Sequence, residues 1–181
     1  MNVDYIHIIE KLYGKEDSAL KRILLVHSRA VAQKALRIVD AHPEMALDRQ
    51  FVEEAAMLHD IGIIRCDAPG IECFGTEPYI RHGILGAAML RSEGLERHAR
   101  VCERHTGAGL SRQDIVSQNL PLPQQDYLPE TLEEQLICYA DKFFSKTRLE
   151  QEKTIGQAEH SLAKFGEEGL QRFRHWKQLF E

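Results

Sequence analysis

The stretch Met57-Leu58-His59-Asp60-Ile61-Gly62 places a histidine directly before an aspartate at the end of a predicted amphipathic helix. Adjacent imidazole and carboxylate side chains can bind the same divalent cation. Four further side chains of these two types occur where a helical chain could return them to the pair: His27, His82, His105 and Asp141. The order of the six residues predicts a metal centre that carries out chemistry.

Buried charge is the physical reason for treating these residues as one group. Taken alone, His27 is more simply interpreted as a hydrogen-bonded core residue, and a partner arginine would account for Asp141. Several buried titratable groups on separate helices need their charge compensated, because an unpaired buried charge is very costly. A divalent cation compensates all of them at once, and the mixture of histidine and carboxylate suits iron, manganese or zinc better than calcium.

Apolar residues recur at steps of three and four through most of the chain, which predicts an all-α fold of about seven to nine helices. One long helix is predicted from about Leu20 to Ile38, with His27 on its apolar face. Asp48 is expected to cap the next helix, and Gly62 is expected to end it. No segment shows the convincing alternation of a β-strand.

The chain after this helix is predicted to remain helical between loops. The capping box Thr131-x-x-Glu134 marks the start of the helix that carries Asp141, which is expected to continue to about Arg148. The other predicted segments are an irregular stretch at 65–80, helices near 81–94, 95–105 and 111–117, an ordered loop at 119–130, and closing helices near 154–164 and 167–180.

We expect a single domain over residues 1–181, with the motifs at about 20–150 and the helices at 154–180 packed on them. The hydrophobic share of 43% and the charged share of 28% are ordinary for a globular protein. The formal net charge of −5 predicts no broad basic surface, and hence no nucleic-acid partner. The four cysteines include no CxxC pair and are expected to be free thiols.

The sequence also predicts a cytoplasmic protein without a membrane partner. The first residues carry charges among their apolar positions and do not form the pattern of a signal peptide. The most apolar short stretch, Ile23-Leu24-Leu25-Val26, is far too short to cross a bilayer.

The order H…HD…H…H…D resembles that of the HD-domain metal-dependent phosphohydrolases, and His59-Asp60-Ile61-Gly62 matches their HDIG variant. The resemblance covers about residues 20–150 and implies a helical bundle of the HD type. Three further segments resemble a small prokaryotic subgroup of HDIG-related proteins: 104–110, 126–134 and 140–142.

The resemblance implies a ligand set for two divalent metal ions, with iron or manganese favoured and zinc or magnesium as alternatives. The first ion would be held by His27, His59, Asp60 and Asp141. Family members with two further histidines between the HD pair and the last aspartate often bind a second ion. Here His82 and His105 match that pattern, and Asp60 would bridge both ions.

A mechanism follows from this resemblance. Two ions would lower the pKa of a shared water, and the resulting hydroxide would attack phosphorus in line. His59 and Asp60 would orient the attack, while Arg65 and Lys142 are candidate clamps for the phosphate. Arg65 is the first cation after the pair, where several family members have a lysine. Further candidate clamps are Lys146, Arg81 and Arg104.

The substrate class implied is a nucleotide or another small phosphorylated metabolite. Two alternatives share the same ligand order: a di-iron oxygenase of the HD type, and a regulatory module that binds a ligand without turning it over. The sequence leaves a homodimer open, because apolar residues of the last helix could pack on a partner as easily as on the chain's own core: Leu170, Phe173, Trp176 and Phe180.

Overall fold

The computed structural model describes residues 2–181, and over this part of the chain it confirms the all-α prediction. The helices are α1 (Tyr5–Tyr13), α2 (Ala19–Ala41), α3 (Arg49–Leu58), α4 (His82–Ser92), α5 (Glu96–Arg104), α6 (Arg112–Ser117), α7 (Leu132–Asp141), α8 (Ile155–Ala163) and α9 (Glu167–Phe180). Within residues 2–181 no helix is both long and apolar enough to cross a membrane. The four cysteines are buried and free, as the sequence predicted.

Local hydrogen bonds at the predicted caps explain where two of the central helices begin. The Asp48 side chain accepts a hydrogen bond from the backbone N–H of Phe51 at 3.1 Å, which satisfies a free donor of the first turn of α3. Thr131 and Glu134 form the predicted capping box at the start of α7. These caps fix the first turn of the helices that lead to the HD pair and to the last aspartate.

Two clusters of buried apolar side chains form the core. One joins the later part of α2 to α3, α7, α8 and α9, and the other joins α1 and the start of α2 to α4 and α5. On α2, Leu24 belongs to the second cluster and Val31 to the first, with His27 between them. Met57 and Ile61 likewise belong to different clusters, and the HD pair lies between them. The polar site therefore lies where the two clusters meet.

The stretch predicted to be irregular contains a short hairpin. Strand β1 (Asp67–Ala68) pairs antiparallel with β2 (Cys73–Phe74), and short 3₁₀ helices lie on either side. Two residues per strand are too few to show an alternating pattern, so the sequence did not reveal this pairing.

The prediction that Gly62 ends α3 is wrong. The helix ends at Leu58, and Gly62 lies inside a 3₁₀ helix, Ile61–Arg65. A Cβ atom at Gly62 would lie 2.1 Å from the carbonyl oxygen of His82 and 2.4 Å from the backbone nitrogen of Gly86. Glycine is therefore required because the backbones of this turn and of α4 are in direct contact.

The helix α7 ends at Asp141 rather than near Arg148. After Asp141 the backbone N–H groups of Lys142, Phe143 and Phe144 donate to the carbonyl groups three residues earlier, which tightens the turn and ends the α-helix. The helical spacing that the sequence suggested therefore does not extend to Lys146.

We predict that Gly62→Ala lowers the free energy of unfolding by about 3 kcal/mol, because the added methyl group meets rigid backbone. Gly156→Ala is the matched control, since a Cβ there meets nothing within 4 Å and the residue lies in α8. Urea unfolding followed by circular dichroism measures both variants. Equal stability of Gly62→Ala and the parent protein would contradict the close contact.

Candidate metal centre

Six side chains that the sequence predicts as metal ligands converge in the interior. Their exposed fractions range from 0 to 9%, so all of them are buried. They come from the ends of helices in most cases, where a side chain can point along the axis into the core. Their positions are the middle of α2 (His27), the end of α3 (His59) and the residue after it (Asp60), the start of α4 (His82), the end of α5 (His105) and the end of α7 (Asp141).

The six residues form two groups that share one carboxylate. In each group the candidate ligand atoms all lie within 4.8 Å of one another. The first group is His27, His59, Asp60 and Asp141. The second group is Asp60, His82 and His105.

Within the first group, nitrogen and oxygen atoms alternate at short distances. The Nε2 atom of His27 lies 3.1 Å from Oδ2 of Asp60 and 2.9 Å from Oδ1 of Asp141. The Nε2 atom of His59 lies 3.1 Å and 3.4 Å from the same two oxygens. Ligands bound to one ion at about 2.1 Å and at right angles lie about 3.0 Å apart, so these separations fit one shared ion.

The other oxygen of Asp60 faces the second group. Oδ1 of Asp60 lies 3.4 Å from Nε2 of His82 and 3.3 Å from Nε2 of His105. The two Nε2 atoms lie 3.0 Å from each other. Asp60 thus presents one oxygen to each group.

Backbone hydrogen bonds fix the ring nitrogens of three histidines. The Nδ1 atoms of His59, His82 and His105 each lie 2.7 Å from the carbonyl oxygen of the residue three positions earlier. A carbonyl oxygen only accepts, so Nδ1 carries a proton, and in the neutral form of each ring Nε2 keeps a lone pair. All three lone pairs then point towards the shared carboxylate.

This arrangement leaves buried lone pairs that a bound cation would satisfy. The Nε2 atoms of His82 and His105 face each other as two acceptors. If the proton of either ring moved from Nδ1 to Nε2, the unprotonated Nδ1 of that ring would face a carbonyl oxygen. The Nε2 atom of His59 and both carboxylate oxygens of Asp60 are buried without a hydrogen-bond partner of acceptable geometry. Buried polar atoms are rarely left in this state, so the six residues fit divalent cations.

The charge state of each ring follows from its neighbours. Burial, together with the adjacent His105, lowers the pKa of His82 to about 3. Burial alone would lower the pKa of His59, but Asp60 and Asp141 raise it to about 9, so a metal ion that binds its Nε2 atom would displace a proton. Burial alone would raise the pKa of Asp60, but Lys146 and His59 hold it well below its usual range. The two carboxylates of the centre, Asp60 and Asp141, are therefore ionised.

Two lysines compensate these carboxylates. The Nζ atom of Lys142 lies 2.8 Å from Oδ2 of Asp141 and donates a hydrogen bond to the carbonyl oxygen of His105. The Nζ atom of Lys146 lies 2.5 Å from Oδ2 of Asp60. Both ammonium groups are largely buried beside the candidate ligands, so these two predicted clamps lie in the site.

The predicted arginine clamps are not brought into the cluster. Arg65 is exposed at the end of the 3₁₀ helix. Arg81 forms an ion pair with Glu77 at 3.1 Å. Arg104 donates to the carbonyl oxygen of Leu128 at 2.6 Å, away from the ligands.

Two adjoining cavities open beside the cluster. The inner cavity has a volume of about 190 Å³ and is lined by His82, His105 and Asp141 among others. The outer cavity has a volume of about 490 Å³ and is lined by residues of the hairpin region and by polar residues after α7, among them Lys146. Both share two lysines that the sequence did not single out, Lys153 and Lys164. No motif marks them, because they reach the site only through the packing of α8.

Comparison with known proteins identifies a family match. The family model described as HD domain matches residues 24–145. An uncharacterised protein of Methanocaldococcus jannaschii is 34% identical over 160 residues, which cover 84% of this chain and 87% of that protein. No solved structure matches the chain significantly.

Two further relatives are named tRNA (cytidine(56)-2'-O)-methyltransferase. The protein of Picrophilus torridus is 35% identical over 128 residues, which cover 70% of this chain and 33% of that protein. The protein of Thermoplasma volcanium is 34% identical over 134 residues, which cover 74% of this chain and 33% of that protein. The chain thus spans about a third of the length of these two relatives.

We predict that Asp60→Asn weakens Mn²⁺ binding by more than about 100-fold, because this carboxylate faces both groups and loses its charge. Loss of a group that merely orients a ligand already costs about 10–100-fold. Asp67→Asn is the matched control, since Asp67 is exposed on β1. Calorimetric titration and elemental analysis measure affinity and stoichiometry. Unchanged binding by the Asp60 variant would contradict a metal centre at this position.

Proposed function

Because the chain belongs to the HD-domain family, we propose that it is a metal-dependent phosphohydrolase that acts on a nucleotide or another small phosphorylated metabolite. One observation carries this proposal: the Nε2 atoms of the histidines point into the interior, beside a cavity that is lined by lysines. Cations held by histidine and carboxylate beside the ammonium groups of Lys142 and Lys146 form a site for an anion with concentrated charge. A phosphate ester has that chemistry.

In this proposal the two groups of residues hold two divalent ions, iron or manganese. The first ion is held by His27, His59, Asp60 and Asp141, and the second by Asp60, His82 and His105. When bound, the ions would supply Lewis acidity, which lowers the pKa of a water and neutralises charge on the phosphoryl oxygens. The order of ligands is the one that the sequence predicts.

The protein's own residues would orient the reacting groups. The backbone hydrogen bonds of His59, His82 and His105 hold the rings at fixed positions, so little reorganisation is needed during the reaction. Lys142 is held by Asp141 and by a backbone carbonyl, which makes it a positioning residue. Lys146 follows the end of α7 on a non-helical segment, and its ammonium group can move from Asp60 to a phosphoryl oxygen.

The size and charge of the site favour a small substrate. The inner cavity of about 190 Å³ has room for a phosphoryl group, and the larger outer cavity has room for the remainder of a metabolite. The net charge of −5 favours a small molecule over a nucleic acid. The methyl transfer named for two relatives is not carried over, because the chain spans only a third of their length.

A panel of phosphomonoesters, phosphodiesters and pyrophosphates tests the reaction class. We predict that the protein loaded with Mn²⁺ or Fe²⁺ releases phosphate from members of this panel, and that chelation abolishes the release. Anaerobic purification followed by oxygen-uptake measurements separates the di-iron oxygenase from the hydrolase. Oxygen consumption without phosphate release would contradict the proposal. Binding of a panel member without its turnover by any metal form of the protein would favour a regulatory module.

We predict that Lys146→Gln lowers kcat/KM for the best phosphoester by about 100-fold, because a charged contact to the reacting phosphoryl group is lost. Arg65→Gln is the control, since Arg65 is exposed and outside the cavity. Its kcat/KM is expected to change less than about twofold. Steady-state kinetics with measured metal content distinguish a lost clamp from a lost ion. Equal effects of the two substitutions would contradict the role of Lys146.

A further inference from the structure

We propose that Lys153 and Lys164 form a second anion-binding subsite, and that the substrate is a small molecule with two separated phosphate groups. One phosphate would react at the metal centre, and the other would be held by these lysines. This inference rests on the proposed hydrolase function and adds the chemical class of its substrate.

Both lysines are placed at the cavities by the segment around α8. Lys153 precedes this helix, and its backbone N–H donates to the carbonyl oxygen of Phe143 at 2.8 Å, which returns the chain to the end of α7. Lys164 follows the last residue of α8. Each of them lines the inner and the outer cavity. Lys153 is half-buried and Lys164 is exposed, so the two side chains lie between the metal centre and the solvent.

Lys153 and Lys164 differ from Lys142 and Lys146 in their contacts with carboxylates. Lys142 and Lys146 each contact a carboxylate, at 2.8 Å and 2.5 Å. Among residues 2–181 no carboxylate oxygen lies within the ion-pair distance of 4.0 Å from Nζ of Lys153 or Lys164. The Nζ atom of Lys164 instead lies 4.9 Å from the centre of the Phe165 ring. Neither ammonium group therefore forms an ion pair with a carboxylate in this part of the chain.

The crowding of like charges supports a bound anion. Burial lowers the pKa of Lys153, and the neighbouring Lys142, Lys164 and Lys146 lower it further against the opposing effect of Asp141. Repulsion among ammonium groups in one cavity is relieved when an anion binds between them. The reacting phosphoryl group would already be neutralised at the metal centre, so a second anionic group accounts better for the surplus charge.

The position of the subsite in the chain indicates what it contributes. Lys153 and Lys164 lie outside residues 24–145, the part that matches the family model. The matched part contains all six candidate ligands, whereas the segment around α8 adds the uncompensated charge. We therefore assign substrate selection to this segment and reaction chemistry to the matched core.

Calorimetric titration with phosphonates tests the subsite, because their carbon–phosphorus bonds resist hydrolysis. The probes are butane-1,4-bisphosphonate and its longer homologues, each compared with the alkylphosphonate of the same chain length, on the Mn²⁺-loaded protein. The parent protein is expected to bind at least one bisphosphonate about tenfold or more tightly than its monophosphonate. The double variant K153Q/K164Q is expected to lose this preference and to keep its Mn²⁺ content and its affinity for the monophosphonate.

The control variant is Lys15→Gln, which removes one exposed positive charge between α1 and α2 and should keep the preference. Equal affinity of the parent protein for both probe classes, or a preference that survives in K153Q/K164Q, overturns the subsite while monophosphonate binding leaves the hydrolase proposal standing. If neither class binds to protein that holds Mn²⁺, the proposed function fails together with the subsite.

Discussion

The burial of two carboxylates, Asp60 and Asp141, is the constraint on which the rest of this structure depends. An ionised carboxylate in the interior is tolerated only when positive charge and hydrogen-bond donors surround it. The protein supplies ammonium groups from one side, and on the other side the imidazole rings would hold a cation against the same carboxylates. The same demand explains why the site lies between two apolar clusters, where several helix ends can deliver polar groups to one point.

Backbone carbonyl groups carry much of the organisation of the site. His59 and His105 lie at helix ends, and His82 begins a helix; each donates its Nδ1 proton to a carbonyl group three residues earlier. The ring orientation is therefore set by main-chain geometry, which the whole helix supports. The family match covers residues 24–145, and this range contains all six residues of the cluster.

The sequence predicted the all-α fold, most helix positions and the convergence of six polar side chains, because apolar periodicity and capping residues act locally. It did not predict where α7 ends, since that depends on a tightened turn after Asp141. It named Arg65 as a candidate clamp because Arg65 is the first cation after the HD pair, and it did not single out Lys153. Side chains that arrive through packing of a distant helix, such as Lys153 and Lys164, leave no local pattern.

The backbone contact at Gly62 has a mechanical consequence. A Cβ at Gly86 would lie 3.0 Å from the nitrogen of Gly62, so the two chains touch in both directions. Because the two backbones are in direct contact, α4 cannot slide along the turn that follows Asp60. The separation between His82 and Asp60 is therefore fixed by the backbone, and substitutions of the neighbouring apolar residues can leave it unchanged.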